Sequence, residues 1–298
     1  MVIRELIAEI KEILQSAGIE DYDFDGNCIA EDFLGLSGTQ LLLNADEEAD
    51  ETSAKKAVKA AEKRASGYPL QYILGKWEFY GLPFEVGEGV LIPRPDTEIL
   101  VDTVIEYYRS PRKNMRIIDI CSGSGCIAVA LKKNIPEAEV TAVENSSEAM
   151  PYLVRNARLN DAVLRYIKGD VMNGALLDNF ADPENVGEFI KFGCIVSNPP
   201  YLTAEEMSEL QTEVGYEPKY ALDGGLDGLK FYRVIACLWK EVLEDNGLLA
   251  FEAGYHQCGQ VAEIMRKSGF YDVSVRKDLG GNERVIFGFK SPEKEDLA

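Results

Sequence analysis

Residues Arg116 to Lys133 constrain the fold of this chain more than any other stretch. Arg116-Ile117-Ile118-Asp119-Ile120 reads as a short buried strand. It is followed by the turn Cys121-Ser122-Gly123-Ser124-Gly125-Cys126 and then by the helix-like Ile127-Ala128-Val129-Ala130-Leu131-Lys132-Lys133. Strand, glycine-rich turn and helix N-terminus in that order form the nucleotide-cofactor entrance of a doubly wound α/β sheet. Glycines let the backbone approach a ligand and reach φ values that other residues resist. Two further strand ends extend the pattern. Glu139 to Val143 ends on Glu144, an acid placed to accept both hydroxyls of a ribose. Leu164 to Lys168 ends at Gly169-Asp170, where a carboxylate can meet an adenine amino group. A single strand-end acid would read as a solvated loop charge; a loop and two acids on three successive strands read as a cofactor site.

A second motif follows the apolar run Phe192 to Ser197, which reads as another buried strand. Its carboxyl end carries Asn198-Pro199-Pro200-Tyr201, where open α/β sheets place their ligands. Consecutive prolines fix φ twice and remove two backbone donors, so the turn is stiff and its carbonyls are free to accept. Asn198 adds a side-chain acceptor, and Tyr201 a flat face with a polar tip. The cluster suits a planar group with N–H donors, such as an amide or an aromatic amine. Taken alone it would equally fit an ordinary proline-rich turn.

The glycine loop leaves the cofactor open. Gly123-x-Gly125-x-x-Ala128 also satisfies the dinucleotide fingerprint, and Glu144 lies close to the ~20 residues expected for a ribose acid. A nicotinamide dehydrogenase is therefore a rival. Against it, His256 is the only histidine, so the usual proton carrier of such enzymes has one candidate. A dehydrogenase would also leave Asn198 to Tyr201 unexplained, whereas an S-adenosylmethionine enzyme that methylates planar nitrogens uses them directly.

With these residues in view, the chain resembles the HemK-type (PrmC) glutamine N(5)-methyltransferases, which modify peptide chain release factors. The likeness is carried by Gln71 to Gly75, Glu78 to Gly81, Ile92-Pro93-Arg94-Pro95-Asp96-Thr97-Glu98, Glu217-Pro218, Ala221 to Gly225, Asp227 to Leu229 and Asp278 to Arg284. It extends from the first helix to Phe289. The resemblance implies methylation of the glutamine of a Gly-Gly-Gln motif, with S-adenosylmethionine as donor and release factors as protein partner. It assigns Cys121, Ser122, Gly123, Ser124, Gly125, Glu144, Asp170 and Val171 to the cofactor, with Asn198 touching it as well. It assigns Asn198, Pro199, Pro200 and Tyr201 to the substrate glutamine and to catalysis. Three positions depart from the family pattern. Cys121 stands where glycine is commoner, so a φ below zero is expected there. Glu144 replaces the usual aspartate, and Val171 replaces a bulkier residue. Neighbouring alternatives are methylation of a glutamine in a ribosomal protein and of an adenine amino group in RNA or DNA.

Composition bounds the class. The chain has 298 residues, of which 46% are hydrophobic, ordinary values for one or two globular domains. No apolar run approaches the ~20 residues that cross a bilayer, and Glu5, Glu9 and Glu12 break the apolar pattern a signal peptide would need. Six cysteines without a C-x-x-C spacing read as reduced thiols of a cytoplasmic protein, not as a zinc site; no metal is expected. A net charge of −20 without a basic block opposes a phosphate-gripping surface and favours a protein substrate.

The expected architecture is α/β: a doubly wound, mostly parallel methyltransferase sheet with a small N-terminal helical domain and a hairpin connector. Apolar residues at helical spacing (Ile3, Leu6, Ile7, Ile10, Ile13, Leu14) open a helical domain over 1–75, to which the resemblance assigns substrate recognition and which would otherwise be a stabilising extension. Residues 76–95 alternate like an exposed hairpin, 96–290 form the catalytic domain, and 291–298 are a flexible tail.

Overall fold

The computed structural model describes residues 1–109 and 114–292; most of the expected tail, 293–298, lies outside them. The chain forms two compact units, Met1–Lys76 with Gln211–Tyr216, and Trp77–Leu210 with Glu217–Ala298.

The first unit is helical. Helix α1 (Ile3–Ser16) buries Ile3, Leu6, Ile10 and Leu14, one apolar stripe at helical spacing. Helix α2 (Tyr22–Leu34) ends on Gly35 in the left-handed conformation. Helix α3 (Gly38–Leu43) is opened by a capping box between Ser37 and Gln40. Helix α4 (Glu51–Ala65) starts at Asp50, whose carboxylate accepts from the Ser53 N–H at 2.8 Å. Helix α5 (Leu70–Leu74) closes the series. Between the helices, the buried Arg64 Nε pairs with Asp25 at 2.6 Å, and its NH2 with Glu213 at 2.7 Å. A buried cation is tolerated because two carboxylates meet it.

The second unit begins with a hairpin, β1 (Lys76–Phe79) and β2 (Leu82–Glu85). Tyr80 and Gly81 both have positive φ, as a tight hairpin turn matched to strand twist requires. The hairpin is not the exposed element its alternation suggested. Phe79 and Phe84 are fully buried in a core cluster with α6 (Glu98–Tyr108), because only one face of the ribbon meets solvent. A 3-10 turn, Pro95–Thr97, leads into α6.

The main sheet follows: β3 (Arg116–Ile120), α7 (Cys126–Asn134), β4 (Glu139–Glu144), α8 (Met150–Leu159), β5 (Arg165–Lys168), β6 (Phe192–Ser197), α9 (Lys230–Leu238), β7 (Leu243–Glu252), α10 (Cys258–Lys267), β8 (Phe270–Lys277) and β9 (Glu283–Lys290). The strand order is β5-β4-β3-β6-β7-β9-β8, with β9 antiparallel to both β7 and β8. The remaining pairs are parallel. Side chains alternate across each central strand, so both faces are buried. Ile118, Ile120 and Ile195 join Trp239, Tyr232 and Phe180 on one face, while Ile117, Cys194 and Val196 join α6 and α7 on the other.

Candidate active site

The strand order reverses between β3 and β6, which makes their carboxyl ends the switch point of the sheet. Ile120 pairs with Ser197 in register, so Cys121 and Asn198 leave the sheet side by side. Ser197 Oγ donates to the Ile120 carbonyl at 2.6 Å and ties the two exits together. A cavity of about 560 Å3 opens there, within the usual range for a small-molecule site. Of the sequence-predicted residues, Cys121, Ser122, Gly123, Ser124, Glu144, Asp170, Val171, Asn198 and Pro200 line it. Gly125, Pro199 and Tyr201 are not among its lining residues.

The loop after β3 corrects one expectation. Cys121 has a φ of 64°, in the left-handed region, not below zero. The loop turns back at once toward β4, with the Ser122 N–H on the Val143 carbonyl at 3.1 Å and the Gly125 N–H on Ser122 at 2.7 Å. That path needs a left-handed first residue, which explains the commoner glycine; a side chain there costs roughly 1–2 kcal/mol. The Cys121 thiol is no nucleophile, since burial and the charges of Glu144 and Asp119 push its pKa well up. Gly125, with a φ of 81°, caps α7, and a Cβ there would collide with Leu153. Its role is packing the helix under the loop.

Glu144 is buried and holds the loop from the neighbouring strand. One carboxylate oxygen accepts from the Gly123 N–H at 2.7 Å and the other from the Ser146 N–H at 2.7 Å. Burial raises its pKa, and these N–H groups pull it back. Asp170 is exposed and uses one oxygen to accept from the Met172 N–H at 2.9 Å. Val171 is buried and its carbonyl accepts from Trp239 Nε1 at 3.0 Å.

The turn after β6 is gripped from several sides. Asn198 Nδ2 donates to Thr97 Oγ1 at 3.3 Å. Among the described residues, neither the Asn198 side-chain oxygen nor the Pro199 carbonyl accepts a hydrogen bond. The Tyr201 carbonyl accepts from Gln257 Nε2 at 2.8 Å, and Gln257 Oε1 accepts from the Gly254 N–H at 3.2 Å. Burial, aided by the nearby Glu252, pushes the Tyr201 phenol up, so it stays neutral. Gly224 and Gly228 abut the Tyr201 backbone: a Cβ at Gly224 would lie 2.7 Å from Tyr201 Cα. A Cβ at Gly228, whose φ is 70°, would collide with the Tyr201 carbonyl and Gln257 Nε2. Gly228→Ala should therefore shift the turn and lower kcat on the order of 10-fold to 10²-fold, with cofactor affinity near wild type. Unchanged kcat in the purified variant would show that the turn does not depend on this clamp.

Several of these residues escaped the sequence analysis. Gln257 and Glu252 carry no motif of their own. Thr97 and the glycines at 224 and 228 lay inside the resemblance without a role. Asn156, buried under the loop, donates to the Ser124 carbonyl at 2.9 Å and the Glu85 carbonyl at 3.0 Å, joining loop and hairpin. Its amide spacing within α8 gave no signal.

Comparison with known proteins bears on what this site serves. Two family models match, the PrmC N-terminal domain over residues 5–75 and the methyltransferase small domain over residues 95–214. A Fusobacterium nucleatum protein named release factor glutamine methyltransferase is 39% identical over 292 residues, covering 96% of this chain and 78% of its own length. A Clostridium acetobutylicum protein of the same name is 35% identical, covering 97% of this chain and 99% of its own. The chain belongs to this family. Among solved structures, the hMettl16 catalytic domain in complex with the MAT2A 3'UTR hairpin 1 superposes with a TM-score of 0.53 and 14% identity, covering 82% of each chain. At that identity the likeness concerns the fold alone; membership of the methyltransferase family makes S-adenosylmethionine the methyl donor.

The cavity fits that donor. Glycine backbone on one side, a buried carboxylate at the β4 end and an exposed carboxylate at the β5 end match the amino-acid, ribose and adenine portions of such a molecule. Among the described residues no helix is long and apolar enough to cross a membrane, and no group of His, Cys, Asp or Glu is arranged to hold a metal ion.

Proposed function

We propose that this protein transfers a methyl group from S-adenosylmethionine to the side-chain amide nitrogen of a glutamine in peptide chain release factors. One observation carries the proposal most. Two neighbouring acceptors, the Asn198 side-chain oxygen and the Pro199 carbonyl, accept from none of the described residues and sit in a turn that borders the cofactor cavity. An amide nitrogen is a poor nucleophile because its lone pair is delocalised into the carbonyl. Two acceptors that take its two N–H groups fix the amide plane and favour a localised lone pair. S-adenosylmethionine, when bound, supplies an electrophilic methyl group on a sulfonium. The proposed roles of the chain are then positional. Cys121 to Ser124 carry the amino-acid portion, with Gly125 packing the helix beneath them, Glu144 accepts from the ribose hydroxyls, and Asp170 with Val171 borders the adenine. Asn198 and Pro199 orient the amide, while Pro200 and Tyr201 stiffen the turn and exclude water. Well-oriented bound reactants gain roughly 7–11 kcal/mol over a dilute encounter, which suits a site that works by orientation.

Charge supports a protein substrate over a nucleic acid. A chain with a net charge of −20 is poorly suited to gripping phosphates. Incubation with labelled S-adenosylmethionine and, in parallel, release factor, ribosomal proteins and RNA should label the release factor. Label confined to ribosomal protein or RNA would contradict the proposal. A release-factor substrate also implies action in the cytoplasm.

The helical segment over 1–75 we assign to recognition of the release factor, because its core is separate from that of the sheet. Removing the residues before Tyr68 should raise the Michaelis constant for release factor severalfold and leave calorimetric cofactor affinity unchanged. An unchanged Michaelis constant would make these helices a stabilising extension only.

A further inference from the structure

We propose that Thr97 and Glu252 are positioning residues that set which end of the Asn198 side-chain amide faces the substrate. The inference rests on the glutamine-orienting role given to Asn198 above.

An asparagine amide has an acceptor end and a donor end of nearly the same shape, so a site that needs the oxygen outward must fix the nitrogen elsewhere. Here Asn198 Nδ2 donates to Thr97 Oγ1 at 3.3 Å. A threonine hydroxyl has one proton to give. It can serve as an acceptor for Asn198 while keeping that proton for a partner that cannot donate. Glu252, at the carboxyl end of β7, is the partner we assign it: the Thr97 side chain lies close enough to this buried carboxylate to pull its pKa down. Thr97 is 2% exposed and Glu252 1% exposed, so water does not compete for either group. An ionised carboxylate is acceptor-only, so the Thr97 proton points to Glu252 and its lone pairs to Asn198. The Asn198 oxygen is thereby left for an N–H donor in the cavity. The chain Glu252, Thr97, Asn198 has one direction, set at its buried end.

The rest of the fold fixes the members. Thr97 ends a 3-10 turn whose N–H bonds to the Arg94 carbonyl at 3.1 Å, and Arg94 is paired with the buried Glu217. The Glu252 backbone carbonyl accepts from the Tyr232 hydroxyl at 2.8 Å. Glu252 Oε2 has no hydrogen-bond partner among the described residues, so one oxygen of this carboxylate is committed to no structural contact. β7 lies beside β6 in the sheet, with Ser197 opposite Phe251, which brings Glu252 up under the Asn198 turn.

The same chain makes turnover pH-dependent. Glu252 is pushed up to about 7, chiefly by burial, with the Thr97 hydrogen bond, Arg284 and Arg94 pulling down and Asp96 pushing up. Tyr201, Tyr232 and Cys126 also face it, from the turn, α9 and α7. Below that pH a proton on Glu252 turns the acceptor into a donor, and the direction of the chain is lost. Activity should fall on the acid side, and the limb should belong to kcat.

Three variants with purified release factor test this. Thr97→Val keeps the shape and removes the hydroxyl; kcat should drop roughly 10-fold, with cofactor affinity and melting temperature near wild type, and Thr97→Ser should restore kcat. In Glu252→Gln the side chain does not titrate, so kcat should be low and its acid limb near pH 7 should vanish. Isotope-edited NMR adds a readout independent of turnover: the Asn198 amide protons should exchange slowly in wild type and faster in Thr97→Val. Wild-type kcat in Thr97→Val, an acid limb that persists in Glu252→Gln, or a loss that Thr97→Ser does not rescue would each overturn the positioning role. If the wild-type enzyme leaves the release-factor glutamine unmodified while the NMR difference holds, the functional assignment fails and the polarity of Asn198 stands.

Discussion

Asn198→Ala should lower turnover on the release-factor glutamine roughly 10²–10³-fold, the usual effect of removing one preorganised polar group from a closed site. Cofactor affinity should change little. The reason is the division of labour at the switch point. Asn198 borders the cavity, but its nitrogen is held by Thr97 and its oxygen has no partner among the described residues. Removing it deletes an acceptor for the substrate, while the cavity walls on the β3, β4 and β5 ends remain. Asn198→Asp sharpens the test. It keeps an acceptor but replaces the donor to Thr97 with a carboxylate oxygen and places a negative charge at the cavity. That charge favours the bound cationic donor more than the reaction it must undergo, so activity should stay low while cofactor affinity holds or rises. Near-normal turnover of Asn198→Ala would return the tetrapeptide to the status of a stiff turn.

Glu144→Ala should weaken binding of S-adenosylmethionine by roughly 10²-fold or more, since charge-assisted hydrogen bonds contribute about 1.5–3 kcal/mol each. Two losses combine. The ribose hydroxyls lose their acceptor, and the N–H groups of Gly123 and Ser146 lose the carboxylate that they meet at 2.7 Å. The loop after β3 is then held by the Ser122 N–H on Val143 and by Asn156 from beneath. Glu144→Asp is one methylene shorter and should recover part of the affinity. Calorimetry that finds Glu144→Ala unchanged, or tight binding of a nicotinamide dinucleotide to the wild type, would contradict the cofactor assignment.

How much of this was legible in the sequence depends on how local each feature is. The β3 loop and the α7 start lie within one stretch whose apolar and glycine pattern is self-contained, and the two acids fall where their strands stop. The acceptor of the Asn198 N–H was not legible, because Thr97 is 101 residues away and meets the turn only once the sheet is assembled. Glu252 and Gln257 are of the same kind: each acts through the adjacency of β6 and β7. The φ of Cys121 ran against residue preference, since a cysteine gives no sign that its position demands a left-handed backbone. Strand β8 went unread for another reason. It is the edge strand, exposed along most of its length, and so lacks the apolar run that marked its buried neighbours.

The most direct test of the central claim is the chemical position of the transferred methyl group. Release factor treated with the enzyme and methyl-labelled S-adenosylmethionine should carry the label in the peptide that contains the Gly-Gly-Gln glutamine. Acid hydrolysis of that peptide should then release the label as methylamine, the product of a methyl group on the side-chain amide nitrogen. Label recovered as methanol, on another residue, or on RNA added to the same reaction would contradict it.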